Sequence, residues 1–172
     1  MGDSRGPLTI LHLLAPAPHG GLESVVSALA AGHCARGHSI HIAAVLDLQS
    51  GEHPFVQAVE RTGAVVHAMR VKPRAYLAER HATAHPCRTV KPDVVHSHGY
   101  RADVVDAGVV RSMGLSTVTT VHGFTGGGRR NRLYEFLQLR AFRFLTRSWR
   151  SRGSWRSCWS VGEFPPTGCT PS

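Results

Sequence analysis

Three short stretches of this 172-residue chain combine side chains able to do chemistry with spacings that could bring them together. The richest is His122-Gly123-Phe124-Thr125-Gly126-Gly127-Gly128-Arg129-Arg130-Asn131. It joins an ionisable ring, three adjacent glycines and two guanidinium groups, whose forked N–H donors match phosphate and carboxylate. The plain alternative is a surface loop with solvated arginines. The second stretch is His96-Ser97-His98-Gly99. Alternate residues of a strand share a face, so His96 and His98 turn the same way, and His122 could lie beside them. Three imidazoles at neighbouring strand ends are one way to hold zinc. No carboxylate or cysteine completes that set, and a hydrogen-bonded structural histidine is the blander account of one of the pair. The third stretch, His19-Gly20-Gly21, precedes a helical pattern. Glycines there let a ligand approach the backbone, and a helix start offers free N–H groups to a phosphate. A tight turn is the competing explanation. The spacing is not GxGxxG, and only Asp47 is placed to hold a ribose, which argues against a nicotinamide cofactor.

The elements that must position these residues follow from the apolar periodicity. Runs at 8–15, 39–46, 64–69, 93–98 and 116–121 read as strands. Helical spacing marks 22–35, 55–61, 76–90, 102–113 and 131–145. Pro86 is expected to break or kink the third helix. Strands alternating with helices imply an α/β fold, a Rossmann-like, doubly wound parallel sheet with helices on both faces. Ligands bind beyond the carboxyl ends of such strands, so residues 18–23, Asp47, 97–101 and 122–131 form the expected rim.

Composition narrows the class. With 42% hydrophobic and 18% charged residues the chain is neither disordered nor fibrous. The apolar run at 8–17 is interrupted by His12 and Pro16 and is too short for a membrane helix; it is expected to be a first strand and not a signal-peptide core. Twenty basic against 11 acidic residues give +9, but 18 of the basic residues are arginine, a bias that fits a GC-rich genome. A nucleic-acid binder would share that charge, yet no reading motif accompanies it, and no nucleic acid is expected as a partner. Five arginines between Arg129 and Arg143, with Glu135 the only acid, could face an anionic membrane. Cys34, Cys87, Cys158 and Cys169 have no metal spacing, so reduced thiols and a cytoplasmic setting are expected.

In order along the chain stand Gly20-Gly21-Leu22-Glu23, Arg36-Gly37-His38, Lys91-Pro92-Asp93-Val94-Val95-His96-Ser97-His98 and Val121-His122-Gly123. Together these segments resemble the N-terminal domain of the retaining glycosyltransferases of family 4, which have the two-domain GT-B architecture. The resemblance covers about residues 8–145. It implies a sugar transferase that uses a nucleotide-sugar donor and a glycan or lipid-linked acceptor, with no cofactor and no bound metal. It further implies that Gly20 and Gly21 meet the donor diphosphate and that His122 supports transfer as the catalytic residue. On the acceptor side it implies His98, and the rim residues Arg101, Thr125, Arg129, Arg130 and Asn131 are expected to join it there. In the family a second domain supplies most of the nucleotide site, so this chain alone is expected to be inactive. A free-standing phosphate or nucleotide-binding module is the alternative.

Composition changes near Thr146. All 12 histidines precede that point and all three tryptophans, Trp149, Trp155 and Trp159, follow it, within a stretch that has no apolar period. The expectation is a domain over 1–145 and a non-native or disordered tail over 146–172, without the sixth strand that should follow. Codons read one base out of phase permit an apolar strand and an amphipathic helix where that strand belongs. A frameshift is therefore predicted, which resequencing the locus would show; an unbroken gene with a native peptide containing Trp155 and Trp159 would contradict it.

Overall fold

The computed structural model describes residues 6–120. The helix expected at 131–145, the segment 146–172 and the loop residues His122, Thr125, Arg129, Arg130 and Asn131 lie outside the described residues.

Five parallel strands form one sheet: β1 (Thr9–Leu14), β2 (Ser39–Asp47), β3 (Val65–Val71), β4 (Val94–His98) and β5 (Thr117–Thr120), in the order β3-β2-β1-β4-β5. The connections are helices α1 (Gly21–Ala35), α2 (Pro54–Glu60) and α3 (Tyr76–Val90), then a composite segment before β5. That segment runs as α4 (Gly99–Arg101), a π-helical turn (Ala102–Asp106) and α5 (Ala107–Ser112). The expected doubly wound α/β architecture is therefore present.

Side-chain alternation divides the core into two layers. Ile10 and Leu14 of β1 join Ile40, Ile42, Ala44 and Leu46 of β2 beneath α1 and α2, meeting Val26, Ala30, Phe55 and Val59. On the opposite face Leu11 and Leu13 pack with Ala43, Val45, Val95, Cys87 and Val110 under α3 and α5. β1 is thus apolar on both faces except at Thr9 and His12, as a central parallel strand must be. Helix ends use predictable chemistry: Gly37, at φ +82°, lets the N–H groups of Gly37 and His38 reach the carbonyls of Cys34 and His33 at 2.9 and 3.1 Å.

Of the expected break or kink at Pro86, the break does not occur: α3 continues through it from Tyr76 to Val90. Proline removes one helical hydrogen bond and costs about 3 kcal/mol in an exposed helix. Here Thr83, Ala84, Pro86 and Cys87 are all buried, and tertiary packing holds a helix against that local cost.

A polar network crosses this second layer. Glu79, fully buried, receives Arg101 in a forked contact, Nε to Oε1 at 3.0 Å and Nη2 to Oε2 at 2.7 Å. The π-helical turn places Asp103 and Asp106 on the buried face. Asp103 Oδ1 accepts from Ser97 and Thr119 at 2.6 Å each, while Asp106 Oδ1 accepts from Thr83 at 2.9 Å. Asp106 Oδ2 has no partner among the described residues. Burial, and then the Glu79 charge, push the Asp106 pKa from its ordinary 3.8 up to about 7. The unfolded chain thus releases this proton first as pH rises, and folding loses stability between about pH 4 and pH 7. Asp106→Asn should match the parent near pH 4 and become progressively more stable than it up to pH 8. Urea midpoints measured across that range check this; a difference independent of pH would show that Asp106 is ionised throughout.

Candidate functional site

The strand order reverses at β1. Its crossover to β2 runs one way and the later one, to β4, the other, so a crevice opens between the carboxyl ends of β1 and β4. Two loops form its walls. The first leads from β1 into α1, where Gly20 is the N-cap with extended backbone (φ 176°, ψ 174°) and no side chain among the described residues caps the helix. The first amide groups of α1 are therefore left to a ligand or to water.

Glu23, in the first turn, fixes this loop. Its Oε1 accepts the N–H of Ala17 at 2.7 Å, and the residue is buried. Its Oε2 lies so close to Gly20 that a Cβ there would collide with it. This is a variant of the capping box, with the third helical residue reaching back beyond the N-cap. A side chain at position 20 would therefore have to displace the Glu23 carboxylate. At Gly21 a Cβ meets nothing within 4 Å.

The second wall begins at the end of β4. Gly99 turns the chain at φ +81°, and a Cβ there would come within 3.2 Å of Leu22 Cδ1. The Leu22 side chain thereby rests on the turn after β4, and the two loops are fitted to each other.

Under the crevice three histidines meet on the α1 face of the sheet. His12 is the register partner of His96, and His98 lies two residues further along β4. His12 Nδ1 and His98 Nε2 are hydrogen-bonded at 2.9 Å, and His96 Nε2 is bonded to Thr120 Oγ1 at 2.7 Å. Ring centroids of His96 and His98 are 4.0 Å apart, and His12 stacks on His33 of α1 at 5.9 Å. One ring nitrogen from each of His12, His96 and His98 lies within 4.8 Å of the other two. Burial, then the charges of His96 and His33, lower the His12 pKa from 6.5 to about 3, so this ring is neutral near neutral pH.

The expected site residues separate into three groups. Gly20, Gly21 and His98 are brought to the crevice, with His98 beneath its surface at 2% exposure. Arg101 is engaged on Glu79, on the α3 side. His122, Thr125, Arg129, Arg130 and Asn131 fall outside the described residues. Asp47 accepts the Gln49 N–H at 3.1 Å, and its carbonyl the Ser50 N–H at 3.0 Å, closing its own turn. Sequence reasoning missed His12, and it placed Glu23 on the rim without giving it a role. A histidine inside an apolar strand was the signal for the first, and an acid three residues after a Gly N-cap was the signal for the second.

The family model of Glycosyltransferase Family 4 matches residues 19–157 of this chain. No curated protein matches. Among solved structures, a glycosyltransferase from Rickettsia africae ESF-5 superposes with a TM-score of 0.53 at 16% sequence identity. The superposition covers 76% of this chain and 34% of that one, so this chain spans about a third of that structure. The shared feature is the fold.

The loop geometry separates two adjacent glycines that look equivalent in sequence. Gly20→Ala should destabilise the chain by about 1–3 kcal/mol, because Glu23 must leave a buried, hydrogen-bonded position. Gly21→Ala should change stability by less than about 1 kcal/mol, the scale of a glycine-to-alanine exchange in a helix. Chemical denaturation of both variants checks the contrast, and equal losses would remove the Glu23 contact from the explanation.

Proposed function

Because the chain belongs to glycosyltransferase family 4, we propose that it forms the acceptor-side part of an enzyme moving a sugar from a nucleotide-sugar donor to a glycan or lipid-linked acceptor. The observation that carries this reading is the uncapped start of α1, held by Glu23 against the β1–β4 crevice. In the transfer, the bond from the anomeric carbon to the diphosphate oxygen breaks and one to an acceptor hydroxyl oxygen forms. The nucleoside diphosphate leaves with the electron pair, and the acceptor proton is released. Amide donors at a helix N-terminus are suited to the negative charge that grows on the departing diphosphate. Gly20 and Gly21 are the backbone positions proposed for that contact.

His98 belongs to the acceptor side in this reading, acting from below through the imidazole chain. Thr120 is its register partner, so the chain leaves β5 beside His98 and heads into the proposed loop of His122, Thr125, Arg129, Arg130 and Asn131. His122 is the proposed catalytic group, whose imidazole would hydrogen-bond the donor sugar or ease developing charge. Arg101 is proposed for the acceptor side as well, with its guanidinium held on Glu79. A lipid-linked acceptor would agree with an arginine-rich surface at 129–143 resting on the inner face of an anionic membrane, with the protein otherwise cytoplasmic. Among the described residues no helix is long and apolar enough to cross a membrane.

The 172-residue chain by itself should transfer no sugar at a useful rate, because a donor held by one wall is neither positioned nor shielded from water. In a two-domain version carrying a family donor-binding half, His122→Ala should lower turnover about a hundredfold with the fold intact by circular dichroism. Assays with several nucleotide sugars and lipid or glycan acceptors read both outcomes. Parental turnover in the His122 variant would remove that residue from the site, and robust turnover by the chain alone would remove the need for a second half.

A further inference from the structure

The crevice floor points beyond sugar transfer. We propose that His12, His96 and His98 form a binding site for one divalent cation of the zinc class. The three side chains come from adjacent central strands, where β1 and β4 pair in register as Ile10 with Val94, Leu11 with Val95 and His12 with His96. That pairing fixes the Cβ positions, so the nitrogens are gathered by the backbone and not by mobile loops. Each ring offers one nitrogen, and the three lie within 4.8 Å of one another. Tetrahedral zinc with Zn–N of about 2.0–2.1 Å needs ligand nitrogens about 3.4 Å apart. The 2.9 Å contact of His12 Nδ1 with His98 Nε2 and the 4.8 Å outer limit bracket that spacing.

The surroundings resemble those of a metal ligand set. His96 is oriented through Nε2 by the Thr120 hydroxyl, the kind of outer contact that fixes a ligating imidazole. On cation entry the proton shared by His12 and His98 moves to the outer nitrogen of one ring, and both inner nitrogens become ligands. The set contains no carboxylate and no carbonyl, so it suits zinc, copper or cobalt over magnesium or calcium. Three protein nitrogens leave a fourth position, and His96, the least buried of the three, provides the way in.

Cobalt(II) added to the metal-stripped full chain tests this. The expected result is one equivalent bound at micromolar concentration or tighter, with the visible absorption of tetrahedral cobalt, displaced by zinc. His96→Ala should weaken binding about a hundredfold. His67→Ala, which breaks the separate His41–His67 pair at 3.0 Å, should leave it unchanged. His96→Cys should keep binding and add a sulfur-to-cobalt charge-transfer band, which reads coordination directly even if the alanine variant folds poorly. Absence of binding, binding indifferent to His96→Ala (an adventitious ion only), or a cysteine variant without that band would each overturn the site.

Discussion

Everything at the crevice depends on the pairing of β1 with β4. The chain builds β1, β2 and β3 outward in one direction, then returns through α3 to lay β4 against the other edge of β1. That return brings His12 and His96 into register across 84 residues of sequence, and it sets the turn at Gly99 against Leu22. Parallel strands cannot be joined by a tight turn, so this adjacency requires the whole crossover helix. The anchoring is visible at the amino end of the pair, where the Asp93 carboxylate accepts the Thr9 N–H at 2.7 Å and the Thr9 carbonyl accepts the Asp93 N–H at 2.9 Å.

The two layers on either side of this sheet are chemically unlike. The layer under α1 and α2 is apolar at the β2 edge and becomes imidazole-rich toward β4. The layer under α3 carries Glu79, Asp103 and Asp106, of which Glu79 is met by a guanidinium and Asp103 by two hydroxyl groups. Buried charge is expensive, and one role for such a network is to fix a helix in a single register. The π-helical turn serves the same end, since the wider turn aims both aspartates of that segment inward.

Much of this was legible in the sequence. Alternating periods gave the five strands and their parallel arrangement, and the glycines at 20, 21 and 37 marked helix ends correctly. What stayed hidden was long-range. Nothing local distinguishes Pro86 in a buried helix from Pro86 at a break; only the packing of Thr83, Ala84 and Cys87 beside it decides. His96 and His98 were read as sharing a face, with His122 considered as a third ring and a metal not expected; the described residues add His12, because strand order determines which rings meet, and His122 lies outside them. Arg101 was read as a ligand contact, and its engagement with Glu79 depended on how α3 lies across the sheet.

The tie between Gly20 and Glu23 also bears on how this loop can change over generations. A side chain at position 20 is excluded only while a carboxylate of that length occupies the space beside it, so the two positions share one volume. Shortening the acid first would open room for alanine at position 20, whereas the reverse order passes through a strained intermediate. Substitutions at these two sites are therefore ordered and not independent, and a lineage that lost the acid would lose the constraint on the glycine with it.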